Sequence, residues 1–310
     1  MELDWQNSSE RSWGDLIYAF LSEKEFDGAT KSITLWRKNF PESKNLLFYQ
    51  ALIDYARQNL DEALKNIDEF LKYQENNLPG IVFYYFLNLK IGKIEYAQKI
   101  FAKAIKQTHS AGKVYEILGD ILVHSMDMEN AIKFYRKSLV FSPENAHIWA
   151  SLGLAFTKIR RYDDAKISFE RAEKYAKTKS ELIRSAVYFI MAGETDKALE
   201  IYRSAEPGHT EDSIFWLNKG LTYIFSEQFD KAESCWNKVL SINPDFPYAH
   251  YNLACLYVRE QKYDDAWGHL EKAMKFSDFF IRRAKVDGDI EPLIIHPEFG
   301  KKFRKIAGNL

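Results

Sequence analysis

Apolar residues recur along this chain at i, i+3, i+4 and i+7, in short runs separated by polar breaks. That period belongs to amphipathic helices and not to strands. The runs come in pairs, and the pairs keep time. An acidic residue, one intervening residue and then alanine occur at Asp27/Ala29, Asp61/Ala63, Glu95/Ala97, Glu129/Ala131, Asp163/Ala165, Asp196/Ala198, Asp230/Ala232 and Asp264/Ala266. The step is 34 residues each time except the 33 between Ala165 and Ala198. Four residues after each alanine stands a large apolar residue: Ile33, Ile67, Phe101, Tyr135, Phe169, Tyr202, Trp236 and Leu270. Twelve before it the residue is mostly small, as at Ala51, Gly119, Gly153, Ala186, Gly220 and Ala254, with Ile17 and Tyr85 the exceptions. Sixteen before it stand Trp13, Leu47, Ile81, Tyr115, Trp149, Leu182 and Trp216, with His250 last, and Pro41, Pro143 and Pro244 follow three of the units.

These columns predict a helical hairpin in each unit. The acidic residue suits the start of the second helix, where unpaired N–H groups and the positive end of the dipole favour a carboxylate. Small residues across the hairpin allow close approach, large ones fill the space between units, and proline ends the second helix. The near-identical strings YDDAKISFERA (162–172) and YDDAWGHLEKA (263–273) are then two copies of one scaffold helix.

The residues that carry these columns resemble the tetratricopeptide repeat. The fullest matches are Trp149, Leu152, Gly153, Phe156, Ala165, Phe169 and Ala172, and Trp216, Gly220, Tyr223, Ala232, Trp236 and Pro244. The resemblance implies an all-α fold, an α-solenoid (right-handed superhelix) of tandem helix-turn-helix units. The expected organisation is an N-terminal arm over 1–9, eight repeats over 10–278 starting near 10, 44, 78, 112, 146, 179, 213 and 247, and a C-terminal helical cap over 279–310, since a repeat array needs a terminal element with one polar face. Within the cap, a helix through 281–285, a turn at 287–289 and a helix after Pro297 are expected.

In this family the first helix of each unit lines a concave groove, which implies non-catalytic protein–protein interaction with a partner peptide or helix in that groove. Carried over by phase, the groove set is Phe48, Leu52, Tyr55, Val82, Phe86, Leu89, Lys90, Lys113, Glu116, Asp120, His124, Lys158, Ile183, Val187, Leu217, Leu221, Tyr251 and Arg259. A bare apolar strip of that size calls for an occupant or for a superhelix tight enough to close over it. No three successive units present the lysines, asparagines and arginine of the clamp that grips the C-terminal carboxylate of heat-shock chaperones, and Glu116 and Asp120 would repel such a ligand.

Composition narrows the picture. Forty-three basic residues face 44 acidic ones, so the clustered cationic excess of a nucleic-acid binder is missing, and an RNA-binding role ranks behind the others. Two cysteines 20 residues apart, Cys235 and Cys255, suggest neither a disulfide framework nor a zinc site. The opening residues lack the apolar core of a signal peptide, and no window is long and apolar enough for a membrane span, so a cytoplasmic location is expected, with no membrane partner. No HExxH, GxSxG, Walker or GxGxxG string occurs, and no enzyme activity or cofactor is expected. The alternative is a regulatory or catalytic subunit with a groove site, its sharpest form a metal at Asp120 and His124, four apart on one helix face; a solvated face is the plainer reading. Cys255 is expected to face the groove as a structural thiol, and the Asp287–Asp289 turn lacks the ligand spacing of a calcium loop. Gln50, Asp54 and Asn88 interrupt apolar columns; a locally rotated helix that turns them into water is expected, with a buried polar contact between the second and third units through Asp54 and Asn88 as the alternative, and Lys219 is expected to reach out along its helix.

Overall fold

The computed structural model describes residues 8–308; of the expected arm, residues 1–7 lie outside the described residues, and 8–9 open the first helix. Nineteen α-helices and two 3₁₀ segments make up the described elements, with no strand among the described residues. The chain divides into two compact units, one of residues 8–10 and 17–210, the other of 11–16 and 211–308.

In the first unit the helices run in pairs: α1 (Ser8–Ser22) with α2 (Phe26–Asn39), α3 (Asn45–Ala56) with α4 (Leu60–Tyr73), α5 (Leu78–Lys90) with α6 (Ile94–Thr108), α7 (Ala111–His124) with α8 (Met128–Phe141), and α9 (Ala146–Lys158) with α10 (Tyr162–Tyr175). The next pair departs from the expected long first helix. A 3₁₀ stretch, Lys179–Ser185, precedes the short α11 (Ala186–Met191), which pairs with α12 (Thr195–Ala205). This is where the repeat step shortens to 33. A 3₁₀ turn rises about 2.0 Å per residue against about 1.5 Å for an α-helix, so a shorter segment covers the same height.

The second unit holds α13 (Ser213–Phe225) with α14 (Phe229–Ile242), α15 (Pro247–Arg259) with α16 (Tyr263–Phe276), and then α17 (Asp278–Ala284), α18 (Glu291–Ile295) and α19 (Phe299–Ala307). Residues 11–16 of α1 belong to this unit. Arg11 Nη2 lies 2.9 Å from Asp212 Oδ2, and Ser12 Oγ lies 2.8 Å from Ser213 Oγ.

The column residues do what their types dictate. The eight acidic residues all sit in the first turn of a second helix. Asn77, Ser110, Asp127, Asn145 and Asp212 cap first or second helices by accepting from a backbone N–H of the first turn. Every column alanine is buried, as are seven of the eight large apolar residues that follow, Phe101 being the part-exposed one. The close approach differs in one detail from the expectation that the small residue faces the alanine. A Cβ placed on Gly119, Gly153 or Gly220 would meet the ring of Tyr135, Phe169 or Trp236 at under 3 Å. The glycine therefore makes room for the large residue four positions after the alanine.

The turns within the pairs share a second regularity. Five residues before each alanine the backbone enters the left-handed region: Lys24, Gln58, Met126, Arg160, Glu227 and Gln261 at φ between 56° and 67°, and Gly92 and Gly193 near 80°. Only two of the eight positions carry the residue that adopts this conformation without a steric penalty.

Candidate functional site

The first-helix face of the first unit is built around α7. A step of four puts Glu116, Asp120 and His124 on one stripe, and each meets a neighbour. Lys113 Nζ lies 2.7 Å from Glu116 Oε1. Asp120 receives a forked pair from Arg184, at 2.6 Å to Oδ1 and 3.3 Å to Oδ2, and a 2.7 Å hydrogen bond from Tyr135. The same guanidinium donates to Ser151 Oγ at 2.6 Å. The His124 ring stacks on Tyr18 of α1, centroids 3.7 Å apart at 19°.

Burial sets the protonation of this cluster. It would raise the Asp120 carboxyl, but the Arg184 charge and hydrogen bonds outweigh it and hold Asp120 well below the usual carboxylate range. Burial pushes the His124 imidazole down to about 3 and, with Arg184 adding to it, His147 down to about 4. Both rings are neutral at pH 7. One ligand atom each from Glu116, Asp120 and His147 lie within 4.8 Å of one another. The trio that converges is thus Glu116, Asp120 and His147, where the sequence suggested Asp120 with His124. A metal there would have to displace Arg184 from Asp120 and Lys113 from Glu116, whose two cations already balance the two carboxylates.

The remaining groove positions separate by burial. Phe48, Leu52, Tyr55, Val82, Phe86, Leu217 and Tyr251 are buried, as is Glu116. Phe48 packs on Phe70 and Phe83, and Phe86 meets Phe134 edge-on with centroids 6.0 Å apart. Tyr55 donates a short hydrogen bond to Asp127. In the second unit Tyr251 donates to Asp287 at 2.8 Å, and Arg283 lies 5.1 Å over its ring. The Asp287 carboxylate of the 287–289 turn is therefore engaged inside the protein. Leu89, Asp120, His124 and Ile183 are part-exposed, and Lys90, Lys113, Lys158, Val187, Leu221 and Arg259 are exposed.

Three polar expectations are corrected. Asp54 is buried, not turned into water, and accepts from Gln50 at 3.1 Å and Asn66 at 2.8 Å; burial still raises its carboxyl. Asn88 is buried too, and donates to the backbone of Tyr84. Lys219 does not reach solvent: its ammonium lies 4.6 Å over the Trp216 ring, where a cation–π contact offsets desolvation. Cys255 is part-exposed, and burial pushes its thiol up, which leaves it a weak nucleophile.

Sequence columns did not single out Arg184, Tyr18 or Tyr135 as members of this cluster. Arg184 lies in the 3₁₀ stretch where the step shortens, and that irregularity is the one sequence signal that could have drawn attention to it.

No described helix is long and apolar enough to cross a membrane. A family model described as tetratricopeptide repeat matches residues 112–145, 146–179 and 214–246, and a second of the same description matches 235–268. The chain is similar to the BBSome complex member BBS4 of Bos taurus, 28% identical over 185 residues, covering 57% of this chain and 36% of that protein. It is also similar to the TPR repeat-containing protein MJ1428 of Methanocaldococcus jannaschii, 25% identical over 327 aligned residues, covering 96% of this chain and 55% of that protein. Among solved structures it resembles the APC/C hetero-tetramer Cut9–Hcn1, with a TM-score of 0.54 at 14% identity over 88% of this chain and 53% of that one. The chain thus spans between 36% and 55% of the length of these two curated relatives. Repeat columns, helix pairs and matched segments agree: the chain is a tetratricopeptide-repeat protein.

Proposed function

We propose that this protein is a non-catalytic scaffold that holds a segment of a partner protein on the exposed part of its first-helix surface, and that it works in the cytoplasm. One observation carries the reading. At two columns, eleven and seven residues before the alanine, α11 leaves Val187 and Met191 exposed, and in the second unit α13 leaves Leu221 and Phe225 exposed. Each is an exposed i, i+4 apolar pair on one helix face, where earlier copies of the same columns place buried apolar residues (Leu52, Phe86), paired polar ones (Asp120, His124) or exposed lysines (Lys90, Lys158). Exposed apolar pairs of this kind suit the apolar face of an amphipathic helix or the side chains of an extended peptide. The relative named as a BBSome complex member supports an assembly role.

The test is affinity capture from a native lysate with wild type beside Val187→Asp/Leu221→Asp. A partner retained by wild type and lost by the variant, with helicity by circular dichroism unchanged, is the expected result. Equal retention by both would remove these residues from the contact surface.

A further inference from the structure

A second apolar surface lies in the first unit and includes neither Val187 nor Met191. Between α8, α9 and α10 is an open cavity of about 390 Å³, whose walls include Leu139, Trp149 and Phe156 and whose mouth carries Val140 and Ile167. These two mouth residues are 78% and 54% exposed. The repeat itself shows that the scaffold does not require them. The column nine residues after the alanine holds lysine in five of the other seven segments and Pro207 and Ser241 in the remaining two; only here is it valine. The column two after the alanine holds lysine in four of the other seven and Glu200, Ser234 and Gly268 in the rest; only here is it isoleucine. Two solvent-facing columns thus turn apolar together at one cavity.

The lining carries one cation, Arg136, and one carboxylate, Asp164, and two further guanidiniums stand over its aromatic walls. The guanidiniums of Arg136 and Arg161 lie 5.6 and 4.8 Å from the Phe156 ring centroid, and that of Arg171 lies 5.3 Å from Trp149. Arg161 is taken up by Asp164, at 2.6 Å. Neither Arg136 nor Arg171 meets a carboxylate among the described residues. Two charges are left to complement a ligand.

We propose that this cavity is a docking site for an acidic segment of a partner protein that inserts a large apolar side chain between Val140 and Ile167 and sets its carboxylates against Arg136 and Arg171. Its volume falls in the range of about 300–1,000 Å³ usual for side-chain and small-ligand pockets. Planar guanidiniums held over aromatic faces are pre-oriented for carboxylates. The aliphatic mouth favours a peptide side chain over a stacked base. The site goes beyond the first-helix surface proposed above and stands without it.

The test uses the full chain and a fluorescein-labelled hexapeptide with Leu-Trp at its centre and two acidic residues on each side, read by anisotropy, with serine-flanked and lysine-flanked versions as controls. The acidic peptide is expected to bind at least tenfold tighter than either control. Val140→Lys/Ile167→Lys, which restores the residue most sister columns carry, should weaken it at least tenfold. Arg136→Ser/Arg171→Ser, a second variant that leaves the mouth intact, should weaken it and flatten its salt dependence. Val187→Asp/Leu221→Asp should leave it unchanged. No binding, no preference for acidic flanks, unchanged affinity in either pocket variant, or loss in the first-helix variant would each overturn the proposal. Displacement of the peptide by a lower concentration of oligouridylate would assign the cavity to nucleic acid and overturn it as well.

Discussion

Asp120 in α7 and Leu221 in α13 hold the same column, eleven residues before their alanines, and the protein treats them in opposite ways. Asp120 is gripped by Arg184 and Tyr135 and has 13% of its side chain exposed. Leu221 is 36% exposed. The same contrast holds one turn on, where His124 stacks on Tyr18 while Phe225 is 66% exposed. The hairpin columns are shared by both units, so scaffold geometry does not explain the difference. What differs is whether another part of the chain reaches that face, as Arg184, Tyr135 and Tyr18 do at α7. A column that the scaffold leaves open can be spent on internal closure in one unit and on a surface in the other.

Breaking the α7 side should cost most. Arg184→Met leaves the Asp120 carboxylate short of its cation in a largely buried site, with an expected loss of about 3 kcal/mol in chemical denaturation. Adding Asp120→Asn should return part of it, and a double variant as unstable as the single one would show that Arg184 acts through packing alone. Next, Ala165→Leu is expected to cost about 2 kcal/mol by overpacking the α9–α10 hairpin, read as a lower melting temperature. An unchanged melting curve would refute the close packing at this column.

Acid sharpens the comparison further. His124 and His147 have folded values depressed to about 3 and about 4 from an ordinary 6.5, so the folded state holds them neutral. Their contribution is complete above about pH 6.5 and is lost as pH falls below it, because the unfolded chain takes up protons that the folded chain refuses. The slope is about 1.4 kcal/mol per pH unit for each imidazole, as an upper figure for groups that keep some exposure. His124→Phe should flatten the fall in stability between pH 6.5 and 5, and an unchanged slope would count against a His124 held neutral in the folded state. The smallest effect belongs to α13. Leu221→Asp should move stability by less than about 0.5 kcal/mol while it weakens partner capture; a large drop in melting temperature would mean that Leu221 is core after all.

The hairpins were legible because their determinants are local. An acidic first turn, a buried alanine and a large residue four positions on lie within one turn or two of one another, and periodicity exposes them. The fate of the first-helix face was not legible, because contacts far apart in sequence decide it. Tyr55 reaches Asp127 over 72 positions, Arg184 reaches Asp120 over 64, and Tyr18 of α1 meets His124 of α7. Phase told which residues share a face, and only the fold tells whether anything covers it. Asp54 illustrates the same limit at shorter range. As a polar residue in an apolar column it reads as misplaced, until Asn66 is seen to cross from the paired helix and bond to it.

The left-handed turn that recurs five residues before each alanine gives the array a graded control that no binding surface shares. Six of its eight occurrences are non-glycine residues held where an L side chain is uncomfortable, from Lys24 to Gln261. In a repeat array whose stability is close to a sum over units and their neighbours, each such turn is a separate small setting, and exchange for glycine adjusts one hairpin at a time. Evolution or an engineer can therefore loosen or stiffen a chosen stretch of this protein, and with it the readiness of that stretch to open, without altering one residue that a partner would touch.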